Sequence, residues 1–146
     1  MVKANETYLI ADTSGLVSMT LPTDRNHEPA LTATQLFQDK QTTILVPYEV
    51  LVETLNVIGK LVGHEPAVAV AAYIAETPLF TVVDTSKEAR AQALERFVVQ
   101  PAAVSFTDCI VMTVADEYRT QAIFGFDRDH SRNGYAILSP KSANQK

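Results

Sequence analysis

Four carboxylates in this chain stand where an ionised side chain is costly. Asp12 closes the apolar run of "YLIADTSGLV", and Asp127 closes "AIFGF" in the same manner. Asp108, in "SFTDCIVMTVADEY", lies three residues before Val111, at the amino-terminal end of an apolar stripe of Val111, Val114, Ala115 and Tyr118. Glu53, in "PYEVLVETLNVIGKLVG", falls about 40° from Val57 at roughly 100° per residue, on the border of that helix's apolar arc. Each acid has a bland explanation. Asp12 could serve turn chemistry, Glu53 could pack its stem with its head in water, and Ser105 with Asp108 resembles a capping box. Together they suggest more, because a carboxylate on a buried stripe needs a partner and the nearest cation in the Asp108 segment is Arg119, at the far end of the helix. Four converging acids would repel one another, and a divalent cation would relieve that repulsion. Hard oxygen donors that leave room for water and phosphate suit Mg2+ or Mn2+.

The elements that must position these acids alternate along the chain. Apolar runs predict strands over Tyr8–Ala11, Thr43–Val46, Phe80–Val83, Ala122–Phe126 and Ala136–Leu138. Helical patterns cover Ser14–Met19, Pro29–Asp39, Pro47–Val62, Glu65–Ala75, Lys87–Phe97 and Phe106–Tyr118. Pro47 suits a first helical position, Gly63 a helix stop, and Thr85 or Ser86 a cap before "KEARAQALERF". Nearly all-apolar strands alternating with helices predict an α/β fold, a three-layer α/β/α sandwich around a central parallel sheet. In such sheets ligands bind beyond the carboxyl ends of the strands, which is where Asp12 and Asp127 fall.

Length and composition fit one core. The chain has 146 residues, 47% of them hydrophobic and 20% charged, which predicts a single domain over residues 1–140 with a polar tail, "SANQK" and its preceding Lys141, over 141–146. No apolar run is long enough for a bilayer span and the start has no secretory pattern, so a cytoplasmic location is expected; the lone Cys109 fits a reducing compartment. A net charge of -5 repels nucleic acid as a whole, so an RNA substrate would have to be held locally, for instance by a metal that inverts the field of the acids.

The runs "ADTSGLVSM", "VETLNVIGKL", "SFTDCIVMTVADE" and "IFGFDRDH" resemble, in order and spacing, the PIN-domain ribonucleases, many of which are VapC-type toxins of toxin-antitoxin pairs. The resemblance spans Tyr8 to about Leu138 and implies a metal-dependent endoribonuclease that uses Mg2+ or Mn2+, often as a homodimer, with an antitoxin protein as partner. It matches the family's acids to Asp12, Glu53, Asp108 and Asp127, and its metal- or phosphate-assisting hydroxyl to Ser14, with Thr13 as a weaker candidate. Many members carry an aromatic three residues after the fourth acid, where this chain has His130; that leaves Asp129 as a competitor to Asp127, which lies nearer the strand end.

On this reading Asp12, Asp108 and Asp127 would hold one or two ions that activate water for in-line attack on a phosphodiester, with Glu53 orienting the water or completing the coordination. Arg128 and Arg132 flank the fourth acid and could hold phosphate, or could be solvated charges. His27, His64 and His130 show no metal-ligand spacing, and Cys109 reads as a small packed hydrophobe. The alternating apolar positions of "AVAVAAYIAE" could extend into a dimer or antitoxin surface. The alternative function is a non-catalytic PIN-fold module that binds RNA or protein. A haloacid-dehalogenase-like phosphatase would need a second Asp at position 14, and a receiver domain would need paired acids after its first strand; neither pattern is present.

Overall fold

The computed structural model describes residues 7–140; the polar tail expected over 141–146 lies outside them, as do residues 1–6. Along the chain run β1 (Tyr8–Ala11), α1 (Thr13–Thr20), α2 (His27–Asp39), β2 (Thr43–Pro47), α3 (Tyr48–Val62) and α4 (His64–Glu76). They are followed by β3 (Phe80–Val83), α5 (Lys87–Val98), α6 (Phe106–Glu117), β4 (Ile123–Phe124) and α7 (Arg128–Arg132). The strands form one all-parallel sheet in the order β3-β2-β1-β4. From β1 the chain builds outward through β2 and β3, then returns to add β4 on the other side of β1. Strand order therefore reverses between β1 and β4, and that junction opens a crevice at the carboxyl edge of the sheet.

Parallel pairing dictates the composition of the strands. β1 and β2 are covered on both faces, and from Tyr8 to Ala11 and Ile44 to Pro47 every residue is buried. Helices α1 and α2 pack together, α1 and α4 each pack on α3, and α5 pairs with α6, which also lies on β1. Among the described residues the buried apolar side chains form one continuous cluster. The α6 helix is its centre, with every residue from Asp108 to Ala115 buried.

Helix ends follow local chemistry. Gly63 ends α3 at φ 111°, a conformation that a side chain would strain. Ser86, of the two expected candidates, caps α5 by accepting from the Ala89 N–H. Pro47 ends β2 and stands as the cap residue of α3, one position earlier than expected. No helix among the described residues is long and apolar enough to cross a membrane.

The carboxyl-terminal part departs from expectation. The strand expected over Ala122–Phe126 is only Ile123–Phe124, because Gly125 turns the chain away against the side chain of Asp12. Ala136–Leu138 runs beside β4 with hydrogen bonds at Ile123, Gln121 and Gly125 but forms a single bridge, Ala122 to Ala136, instead of a strand. Between them lies α7, which is too short for its periodicity to register in the sequence. This region is tied down by Tyr135. Its hydroxyl donates to Asp116 Oδ1 at 2.7 Å and accepts from Arg96 Nη1 at 2.9 Å, so α5, α6 and the segment after α7 are joined.

Candidate metal centre

The crevice at the β1–β4 junction is lined by acids delivered from three parts of the chain. Asp12 follows β1 at the cap position of α1, yet its side chain caps nothing. Instead Asp12 Oδ2 accepts from Ser14 Oγ at 2.8 Å, and Ser14 Oγ accepts in turn from the Phe126 N–H at 3.0 Å. One hydroxyl thus fixes the Asp12 carboxylate and ties it to the segment that carries Asp127.

Asp108 enters from the first turn of α6, where the expected capping box is complete. Ser105 Oγ accepts from the Asp108 N–H at 3.1 Å, and Asp108 Oδ2 accepts from the Ser105 N–H at 2.9 Å. Asp127 caps α7, with Oδ1 accepting from the Asp129 N–H at 2.9 Å. A common pattern results. In each of the three carboxylates one oxygen is anchored by the fold, while the other has no hydrogen bond among the described residues.

His130 completes the group. Ligand atoms of Asp12, Asp108, Asp127 and His130 lie within 4.8 Å of one another. The imidazole is fully buried, with Nε2 3.5 Å from Asp12 Oδ2 and 3.8 Å from Asp108 Oδ1, and neither ring nitrogen has a hydrogen-bond partner. Burial favours the neutral ring, but contact with Asp12 and the charges of Asp12, Asp108 and Asp127 outweigh it and raise the His130 pKa. Burial likewise raises the Asp108 carboxyl; Ser105 and His130 pull it down, less strongly than burial and the Asp12 charge push it up. This donor set of three hard oxygens and one imidazole, with buried and unmet valences, fits a divalent cation.

The remaining expected residues fall around this group. Glu53 is not one of the four: it is half-buried on α3 and faces an open cleft of about 610 Å³ that it shares with Tyr48, Glu49, Asp84, Arg90 and Thr107, the neighbour of Asp108. Among the described residues its carboxylate has no hydrogen bond or ion pair. Glu49, one turn earlier, is occupied, accepting from Thr85 Oγ1 at 2.7 Å and facing Arg90 at 3.5 Å. Asp129 pairs with Arg132 at 2.8 Å, so it is Asp127 that the structure brings to the group. Arg128 is exposed beside it. Cys109 is buried, and its thiol is pushed up by burial and by the charge of Asp108, the opposite of an activated nucleophile. The sequence reading missed His130. Its one available signal was the three-residue spacing from Asp127, which places two side chains on one face of a helical turn.

Comparison with known proteins agrees with this geometry. The family model described as PIN domain matches residues 9–134. Among solved structures, the chain is similar to Mycobacterium tuberculosis VapC20, a sarcin-ricin loop cleaving toxin. The two share 27% sequence identity and superpose with a TM-score of 0.78 over 90% of this chain and 99% of that one. No curated protein matches the sequence.

Proposed function

The chain belongs to the PIN-domain family, and we propose that it is a divalent-metal-dependent endoribonuclease, the toxin of a VapBC-type toxin-antitoxin pair. The observation that carries this reading is the set of three aspartates at the strand-order reversal, each with one oxygen fixed and the other free. Mg2+ or Mn2+ bound there would polarise a phosphodiester, lower the pKa of a coordinated water and neutralise charge in the transition state. Asp12, Asp108 and Asp127 hold the ion. Glu53, unpaired in the adjoining cleft, orients the attacking water or reaches the ion through one. Ser14 keeps Asp12 in place and contributes to phosphate binding, and Arg128 holds a phosphate at the rim. The inaccessible Cys109 leaves no covalent nucleophile, so the reaction is direct hydrolysis.

The similarity to VapC20 supports an RNA substrate and an antitoxin partner for a single nuclease domain acting in the cytoplasm. Exposed Leu61, Val62, Val68 and Tyr73 on α3 and α4 offer apolar surface for that antitoxin or for a second copy. Purified wild type, Asp12→Asn and Asp108→Asn should be compared on total RNA with EDTA, Mg2+ or Mn2+, with cleaved ends sequenced. Wild type is expected to cut only with a divalent ion. The variants should lose more than the about 10- to 100-fold typical of an outer-shell partner. If either variant cleaves like wild type, the site assignment is wrong. If the wild type never cuts RNA or slows growth on expression, the non-catalytic reading replaces this one.

A further inference from the structure

We propose that His130 is a direct ligand of the divalent ion, and that its ring nitrogen biases this centre toward Mn2+ over Mg2+. The inference rests on the metal-centre reading above and concerns which ion the centre selects.

Geometry separates this role from two plainer ones. A histidine serving as a packed core residue would have its ring nitrogens hydrogen-bonded, since an unmet buried donor or acceptor costs about 1–3 kcal/mol. Here both nitrogens lack partners in a ring with no exposed surface. A histidine serving as the counter-ion of Asp12 would close to the about 2.7–2.9 Å of a charge-assisted bond. The observed separations are 3.5 Å to Asp12 Oδ2 and 3.8 Å to Asp108 Oδ1. Those lengths suit two donors that share an ion. With metal bonds of about 2.1–2.3 Å, neighbouring ligands lie roughly 3.0–3.8 Å apart. Ligation accounts for Nε2 and leaves Nδ1 without a partner.

No other cation can take this place. Arg132 is paired with Asp129, Arg96 with Asp116 and Arg90 with Glu49. The three aspartates each spend one oxygen on the fold, whereas the imidazole makes no other polar contact. Carboxylate oxygens alone suit Mg2+, which keeps its waters and tolerates nitrogen poorly. An imidazole suits the later divalent ions, and Mn2+ accepts both donor types.

Two measurements test this. Pulsed electron paramagnetic resonance of Mn2+ added to the wild-type protein should show modulation from a directly bound 14N nucleus, and His130→Phe should remove it while still binding Mn2+. Calorimetric titration should show Mn2+ affinity falling about tenfold or more in His130→Phe, with a smaller change for Mg2+. Bound Mn2+ without nitrogen modulation in the wild type, or equal losses for both ions in the variant, would overturn the proposal and leave the aspartate centre standing. If the wild type binds neither ion, the nuclease reading falls with it. The wild-type spectrum decides the question even if His130→Phe fails to fold.

Discussion

Asp108 shows at the scale of one residue how the centre trades stability for function. Burial raises its carboxyl pKa in the fold, so its contribution to stability is complete below the ordinary carboxylate range and is lost as pH rises through the folded value. At neutral pH the ionised group therefore works against folding in the metal-free protein. Asp108→Asn removes the charge while its amide oxygen can still accept from the Ser105 N–H. Thermal unfolding in EDTA should show this variant at least as stable as wild type, with the order reversed in saturating Mn2+; a clear loss of stability in EDTA would mean that the charge is not a burden. A second residue-scale case is a pair of glycines. A Cβ on Gly125 would lie 2.8 Å from Asp12 Cβ and 3.0 Å from Ser14 Oγ, whereas one on Gly59 meets nothing within 4 Å. Gly125→Ala should displace Asp12, cut RNA cleavage sharply and destabilise by about 1–3 kcal/mol. Gly59→Ala, in the middle of α3, should keep full activity and gain about 0.5–1 kcal/mol. Equal activity in the two variants would show that the approach of Gly125 to Asp12 does not matter. Asp12 and Asp108 were legible as oddities in the sequence because each breaks a pattern. His130 breaks none: a histidine after "DRD" reads as surface until the chain turns it inward.

At the scale of elements, two serines cap two helices with different consequences. Ser105 caps α6 and accepts through the box that also orients Asp108, while Ser86 caps α5, away from the three aspartates. Replacing either by Ala should cost about 1 kcal/mol of stability. Only Ser105→Ala should also lower cleavage, because it frees the Asp108 backbone and side chain together; chemical denaturation and initial rates on one RNA substrate would separate the two effects. Matching activity losses in both variants would point to general loosening instead. The caps were readable because capping is local, and so were β1 and β3, whose bounds agree with the apolar runs. The end of β4, the bridge at Ala136 and the short α7 were not readable. Their limits are set by Gly125 meeting Asp12 and by Tyr135 reaching Asp116 and Arg96, contacts between residues distant in sequence or shared with another element. Glu53 shows the same limit from the other side. Its place on the border of the helix was legible from periodicity, but its lying beside the aspartate group in the cleft depends on how α3 meets α6.

For the whole molecule, the argument turns on charge. The chain carries -5 overall and gathers three of its acids in one crevice, so its own field opposes both folding around that crevice and the approach of RNA. A divalent ion bound there acts on both at once. Binding to the folded state alone stabilises it by about 2.7 kcal/mol at an ion concentration one hundred times Kd. For a chain of 146 residues that corresponds to roughly 5–10 °C in Tm. Wild type in Mn2+ should show a shift of that size relative to EDTA. Asp12→Asn should lose most of it, and Glu76→Gln, which removes an exposed acid at the end of α4, should keep it. If the ion acted only by screening the net charge, the two substitutions would have the same effect, since each removes one negative charge. A shift that survives in Asp12→Asn would place the ion somewhere other than the β1–β4 crevice, and the same differential scanning experiment, repeated in NaCl of matched ionic strength, would tell screening from a second binding site.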